Sequence, residues 1–160
     1  MVLVSACLLG RTCRYDGGAC YHEKVAALCR RPGVACLPIC PEILGGLPTP
    51  RPAAEISGGH GGDVWSGRAR VRTARGEDVT PAFISGARRT FNLARQAGVR
   101  AAILKERSPS CGKHYVYDGT FRGLLTPGPG VTAALLARQG LPLFNEEEVD
   151  ALVRLLAERD

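Results

Sequence analysis

Cysteine is the residue type here with the most chemistry to offer, and the chain of 160 residues carries seven of them, an odd number that cannot all pair as disulfides in one molecule. Three recur in one setting. Cys7 closes an apolar run (Val2 to Ala6), Cys40 closes a second (Val34 to Ile39), and Cys111 stands just beyond a third (Val99 to Leu104). They are separated by 33 and 71 residues, so only a fold can gather them. Three thiolates together select soft metals, zinc, copper(I) or iron-sulfur clusters, over hard cations. A cluster normally takes four cysteines; with three, one iron keeps an open position where a Lewis acid awaits a substrate atom. The neighbours are polar in a useful way: Cys40 is followed by Pro41 and Glu42, and Cys111 is preceded by Ser108, Pro109 and Ser110. A carboxylate and hydroxyls beside sulfur are groups that move protons.

The other thiols read differently. Cys29 lies on the apolar side of a helix and Cys36 within a strand, where cysteine packs as a small hydrophobe, so neither is given a role. Cys20 has only His22 nearby, a poor ligand set. Cys13, six residues after Cys7, is open between a fourth ligand, a sulfur relay and a bystander. No Cys-x-x-Cys pair occurs, which disfavours a zinc knuckle.

The elements that must position these residues alternate. Val2 to Ala6 reads as a buried strand, Tyr21 to Cys29 as a helix stopped by Arg30-Arg31-Pro32-Gly33, and Val34 to Ile39 as a short strand. Leu44 to Gly62, rich in Gly and Pro, reads as a long loop, and its Ser57 to Asp63 segment matches no phosphate-binding motif. Ala69 to Arg75 alternates like a strand with Arg outward, a solvated face and not a nucleic-acid footprint. Thr80-Pro81 supplies an N-cap and first-turn proline for a helix to about Ala97, with Phe83, Ala87, Phe91 and Ala94 on one side. After the strand ending at Leu104, Asp118-Gly119 marks a hairpin turn, Val131 to Gln139 a helix, Leu141 to Phe144 a strand, and Asn145 caps a last helix with three glutamates in its first turn. This order predicts a single α/β domain over 1–160: three layers, a mainly parallel sheet with helices on both faces, Rossmann-like, with a small hairpin insert. In such sheets ligands bind beyond the carboxyl ends of the strands, where the three cysteines fall.

Composition narrows the function class. The chain is 45% hydrophobic and 22% charged, a globular balance, and has no run long enough for a membrane span. The start of the sequence lacks a basic n-region, and the expected location is cytoplasmic. The net charge of +6 rests on 18 Arg and three Lys and tolerates anionic partners without demanding them; only 6% of residues are aromatic, few for a nucleic-acid surface.

Four motifs, in order, carry a resemblance: Val-Ser-Ala-Cys-Leu-Leu-Gly-x-x-Cys-Arg-Tyr-Asp-Gly from Val4 to Gly17, Cys-Pro-Glu-x-x-Gly-Gly-Leu-Pro-Thr-Pro-Arg from Cys40 to Arg51, Asp-Val-Thr-x-x-Phe-x-x-Gly-Ala from Asp78 to Ala87, and Leu-Lys-x-x-Ser-Pro-Ser-Cys-Gly with Tyr-Asp-Gly-Thr-Phe from Leu104 to Phe121. The chain resembles, from Val4 to about Glu147, the family long labelled domain of unknown function 523, whose members are described as thiouracil desulfidases. The resemblance implies a 4Fe-4S cluster held by Cys7, Cys40 and Cys111 with one open iron. It also implies Glu42 as acid/base, assisted by Ser110 or Ser108, and non-redox desulfuration of a thiolated uracil to uracil and hydrogen sulfide. The competing expectation is a non-catalytic iron-sulfur or zinc module for sulfide storage or protein interaction. Whether the substrate is a free base, a nucleoside or a base in RNA is open, as is the oligomeric state.

Overall fold

A computed structural model describes residues 1–159. Four strands, β1 (Val2–Ser5), β2 (Cys36–Ile39), β5 (Ala101–Leu104) and β8 (Leu143–Asn145), form one parallel sheet in the order β2-β1-β5-β8. Both faces of the sheet are apolar, and the period-two alternation of the strands shows how they are divided. Val2, Val4, Ala101 and Ile103 point into a core with Val25 and Leu28 of α1 (Glu23–Cys29) and Val149 and Leu152 of α6 (Val149–Glu158). Leu3, Ala102 and Leu104 point the other way, against Ala94 of α4 (Thr80–Gln96) and Ala133 and Leu136 of α5 (Val131–Arg138). The three-layer expectation therefore holds. No described helix is long and apolar enough to cross a membrane.

Several local expectations are corrected. The segment 44–62 is not one loop: it follows the short α2 (Pro41–Leu44) and contains β3 (Ala54–Ser57) and the start of α3 (Gly61–Trp65). Its glycine-rich stretch thus joins a strand to a helix, with His60 Nδ1 accepting from Gly62 N and Asp63 Oδ2 from His60 N. The Arg-rich strand β4 (Arg70–Thr73) leaves the parallel sheet and pairs antiparallel with β3. That pair covers a third core containing Ile56, Val71, Phe83 and Ala87. Strand β6 (Tyr115–Tyr117) pairs with β7 (Leu125–Pro127), so Asp118-Gly119 opens a connection over 118–124 instead of forming a two-residue turn.

Helix ends also differ. Thr80 is the first residue of α4, not its cap; its Oγ1 accepts from Val71 N, and Asp78 Oδ1 takes the Thr80 N–H. Asn145 ends β8, and the three glutamates precede α6, with Asn145 Oδ1 accepting from Glu147 N. Cys29 and Cys36 do pack beside the first core, but they are also joined by a disulfide, their Cα atoms 5.6 Å apart. Helix α1 delivers one thiol at its last residue and β2 the other at its first, and this adjacency was invisible in a reading by burial alone.

Candidate active site

The site is built at the carboxyl ends of the parallel strands. After β1 the chain turns in a short 3-10 helix, Ala6–Leu9, which carries Cys7. Cys40 directly follows β2, whose Ile39 is in register with Ser5 of β1. Cys111 comes after β5 in the loop 105–114, and Ser5 Oγ accepts from Lys105 N to tie the ends of β1 and β5 together. All three cysteines line one cavity of about 440 Å³, in the range of small-molecule sites. Cys13 and Cys20 line it too, so the five thiols outside the disulfide share one pocket. Cys20 is held by the Arg14 guanidinium, with Nη1 3.0 Å from its sulfur. No pattern in the sequence had connected it to the other thiols.

Glu42 and the two serines meet in the same cavity. Ser110 Oγ donates to Glu42 Oε2 at 3.2 Å, lies 3.0 Å from Ser108 Oγ and 3.6 Å from Cys111 Sγ. Ser108 Oγ also accepts the backbone N–H groups of Ser110 and Cys111 at 3.2 and 3.1 Å, which folds the Ser-Pro-Ser-Cys turn onto itself. Glu42 is placed by α2, which lies backbone to backbone against α4: a Cβ at Gly86 would overlap the Pro41 carbonyl. The fixed alternation of the sheet and one glycine on a neighbouring helix therefore bring the carboxylate to the hydroxyl.

Two further residues organise the site, and neither had been given a role from sequence. Arg51, 9% exposed, donates Nε to Glu42 Oε1 at 3.3 Å, Nη2 to Cys13 O at 2.9 Å and Nη1 to Pro48 O and Thr49 Oγ1 at 3.1 and 3.2 Å. Its position at the end of the Cys-Pro-Glu motif was the available signal. Glu106 turns its carboxylate inward, Oε1 accepting from the N–H groups of Lys113, His114 and Tyr115 at 3.0, 2.9 and 3.0 Å, Oε2 from Asn145 Nδ2 at 2.8 Å. Burial works against its charged form, but the Asn145 and backbone hydrogen bonds prevail and hold it below the ordinary carboxylate range. Glu106 thereby closes the loop that carries both serines and Cys111.

Cys13, Cys40 and Cys111 are all raised above the ordinary thiol value. Burial pushes Cys111 up to about 12 despite hydrogen bonds with Ser5 and Ser110 that act downward. Hydrogen bonding with Cys13, then burial, pushes Cys40 up strongly. Cys13 is also raised: its hydrogen bond with Cys40 acts downward, but the one with Cys7 and burial outweigh it. Thiols so arranged are poor nucleophiles as they stand and become thiolates when a cation replaces the proton. Among the described residues no three Cys, His, Asp or Glu converge on one point closely enough for a single metal ion. Soft donors spread around a cavity suit a polynuclear group better than one tetrahedral zinc, so the donor set fits an iron-sulfur cluster.

Comparison with known proteins decides the family. The 2-thiouracil desulfurase family model matches residues 2–148. The chain belongs to that family. Among desulfurase relatives of known structure, the 4Fe-4S-dependent thiouracil desulfidase TudS is 41% identical, with a TM-score of 0.84 over 98% of this chain and 97% of that one. A Bacillus subtilis (strain 168) relative, the uncharacterized protein YbbK, is 46% identical over 153 residues, 96% of this chain and all of that one. The family match spans every residue of the cavity wall discussed above, from Ser5 to Cys111.

Proposed function

We propose that this desulfurase-family chain is a 4Fe-4S-dependent enzyme that removes sulfur from a thiolated uracil, giving uracil and hydrogen sulfide without net redox change. The observation that carries the reading is the convergence of Cys7, Cys40 and Cys111 with the Glu42–Ser110 pair in one cavity. The family membership and the likeness to a thiouracil desulfidase support the reaction class. Cys7, Cys40 and Cys111 would hold the cluster. A cluster held there, with one iron left without a protein ligand, would supply Lewis acidity toward the thiocarbonyl sulfur.

The chain's own residues handle the proton and the water. Glu42 accepts a proton from the attacking water at Oε2, the oxygen already hydrogen-bonded to Ser110. The Ser110 hydroxyl, in contact with Ser108, can turn between the carboxylate and the reacting water, and Ser108 supplies the proton relay behind it. Arg51 holds the other carboxylate oxygen, so Glu42 presents one fixed oxygen to the reaction. Water gives its oxygen to the ring carbon and its protons leave with the sulfide, so atoms and electrons balance. The substrate is a small thiolated pyrimidine. The reading extends to one domain in a cytoplasmic setting, with five free thiols on a single cavity and Cys29 and Cys36 bridged apart from it.

The deciding experiment is anaerobic reconstitution followed by assay of sulfide release from 2-thiouracil and 4-thiouracil. The expected result is a brown protein with iron and acid-labile sulfide near four each per chain, and turnover that Glu42→Gln abolishes while the iron content stays. A storage or interaction module would bind the cluster and release no sulfide in either form.

A further inference from the structure

Aromatic residues are scarce in this chain, 6% of the total, yet Tyr15, Tyr117 and Phe121 all line the one cavity. Phe121 is the unusual member. It is 38% exposed at a position no core requires, and its backbone is left-handed, with φ of 57°. For a bulky aromatic that conformation is an outlier costing on the order of 1–3 kcal/mol, persisting only where the surroundings enforce it. Among the described residues only one other non-glycine, Arg107 with φ of 70°, shares it, and Arg107 lines the same cavity.

What enforces it is visible. The connection 118–124 is docked on β3: Glu55 Oε1 accepts the N–H groups of Gly119 and Phe121 at 3.0 and 3.2 Å. Gly119 lies so close to the Ile56 carbonyl that a Cβ there would not fit. Asp118 Oδ1 accepts from Thr120 N at 3.0 Å, and Asp118 N donates to Leu124 O at 2.9 Å. A carboxylate on the cavity wall is thus committed to holding one loop in a costly shape, and that loop contributes Phe121 to the cavity lining.

Resting on the desulfuration reading, we infer that Phe121 is a specificity-determining residue that stacks on the heteroaromatic ring of the substrate. The ligand class is a planar, uncharged pyrimidine thione, whose ring face is a natural partner for an aromatic side chain. Tyr15, steadied by the Arg14 guanidinium 5.6 Å from its ring centroid, offers a second aromatic surface from the first loop.

The test uses Phe121→Asn, because asparagine tolerates the left-handed backbone and replaces the ring with a short carboxamide, in anaerobically reconstituted holoenzyme. Equilibrium dialysis with labelled uracil and steady-state assay with 4-thiouracil should both weaken, uracil Kd and substrate KM rising about tenfold with iron content unchanged. Phe121→Tyr should recover both values and Phe121→Leu should not. Unchanged Kd and KM in Phe121→Asn, a loss confined to kcat, or full recovery with leucine would each overturn the stacking role. Uracil binding reads out independently of turnover. A wild-type protein that binds uracil in a ring-dependent way but releases no sulfide would refute the desulfuration reading alone.

Discussion

The Ser110 hydroxyl donates to Glu42 Oε2 across 3.2 Å, although the two residues lie 68 positions apart in the chain. Ser110 is 1% exposed, so this bond is sheltered from bulk water, and the hydroxyl is bounded on its other sides by Ser108 Oγ and Cys111 Sγ. Removing it should slow proton handling without dismantling the loop, because Ser108 still holds the backbone N–H groups of residues 110 and 111. Ser110→Ala is therefore expected to keep its iron and lose about 10²-fold or more in kcat. Ser108→Ala should loosen the turn and lower iron content as well as rate. Iron analysis and sulfide assay on the two variants check the contrast, and equal iron loss in both would contradict it.

Glu106 makes a second prediction, based on donors and acceptors. Oε1 faces four backbone N–H groups, those of Arg107, Lys113, His114 and Tyr115, and Oε2 faces the Asn145 amide. In Glu106→Gln the new NH₂ group must oppose another donor, costing about 1–3 kcal/mol. Adding Asn145→Asp restores an acceptor opposite it, so the double variant should regain most of the lost thermal midpoint and iron retention. The lowered folded-state value of Glu106 also fixes a sign: its stabilisation is present above the ordinary carboxylate value of 4.5 and fades as pH falls through the folded value. The gap between wild type and Glu106→Gln should narrow on acidification.

The thiols give the opposite pH dependence. Burial pushes the folded Cys111 thiol from the ordinary value of 9.0 up to about 12, and Cys40 is raised in the same direction. Folded thiols hold their protons longer than unfolded ones, so the apoprotein keeps its full stability below the ordinary value and loses it as pH climbs toward the folded values. The loss should amount to about 1.4 kcal/mol per thiol per pH unit in that window, measured by chemical denaturation of apoprotein. Cluster assembly needs the thiolates, so reconstitution should improve as pH rises from about 7 to about 9. Iron uptake that is flat across that range would count against ligation by the raised thiols.

The parallel sheet was legible because its strands are continuous apolar runs between strong breakers, and the cysteines just past their ends followed from that. Strand β3 was not: only Ile56 of its four residues is buried, prolines closely precede it, and it pairs with β4 across α3, so no local alternation announces it. The chemistry divides in the same way. Glu42 and the serines adjoin cysteines in sequence and could be noticed there. The roles of Glu106 and Glu55 exist in donors that later segments present to them: the N–H groups of Lys113 to Tyr115 and the Asn145 amide for Glu106, and the N–H groups of Gly119 and Phe121 for Glu55. Residue type and spacing do not encode such acceptors.

The Cys29–Cys36 disulfide yields the last prediction, and it concerns the support of Cys7. The bridge closes a seven-residue separation between the end of α1 and the start of β2. Helix α1 in turn braces the turn carrying Cys7, through the approach to it: Cys20 N donates to Cys7 O at 3.0 Å and His22 N to Leu8 O at 2.9 Å. Chain entropy for so short a loop gives about 2.5 kcal/mol of stabilisation. In the absence of reductant, Cys29→Ala/Cys36→Ala should be less stable than wild type by about that amount. Adding dithiothreitol should bring wild type down to the double variant and leave the variant where it was. Hydrogen exchange should then quicken at α1 and at residues 6–9, since losing the staple frees the helix that supports them, while the sheet interior at Ile103 and Leu104 stays protected. A wild-type midpoint indifferent to reductant, with both thiols alkylated before reduction, would show that the bridge is not formed in solution and that α1 holds Cys7 by packing alone.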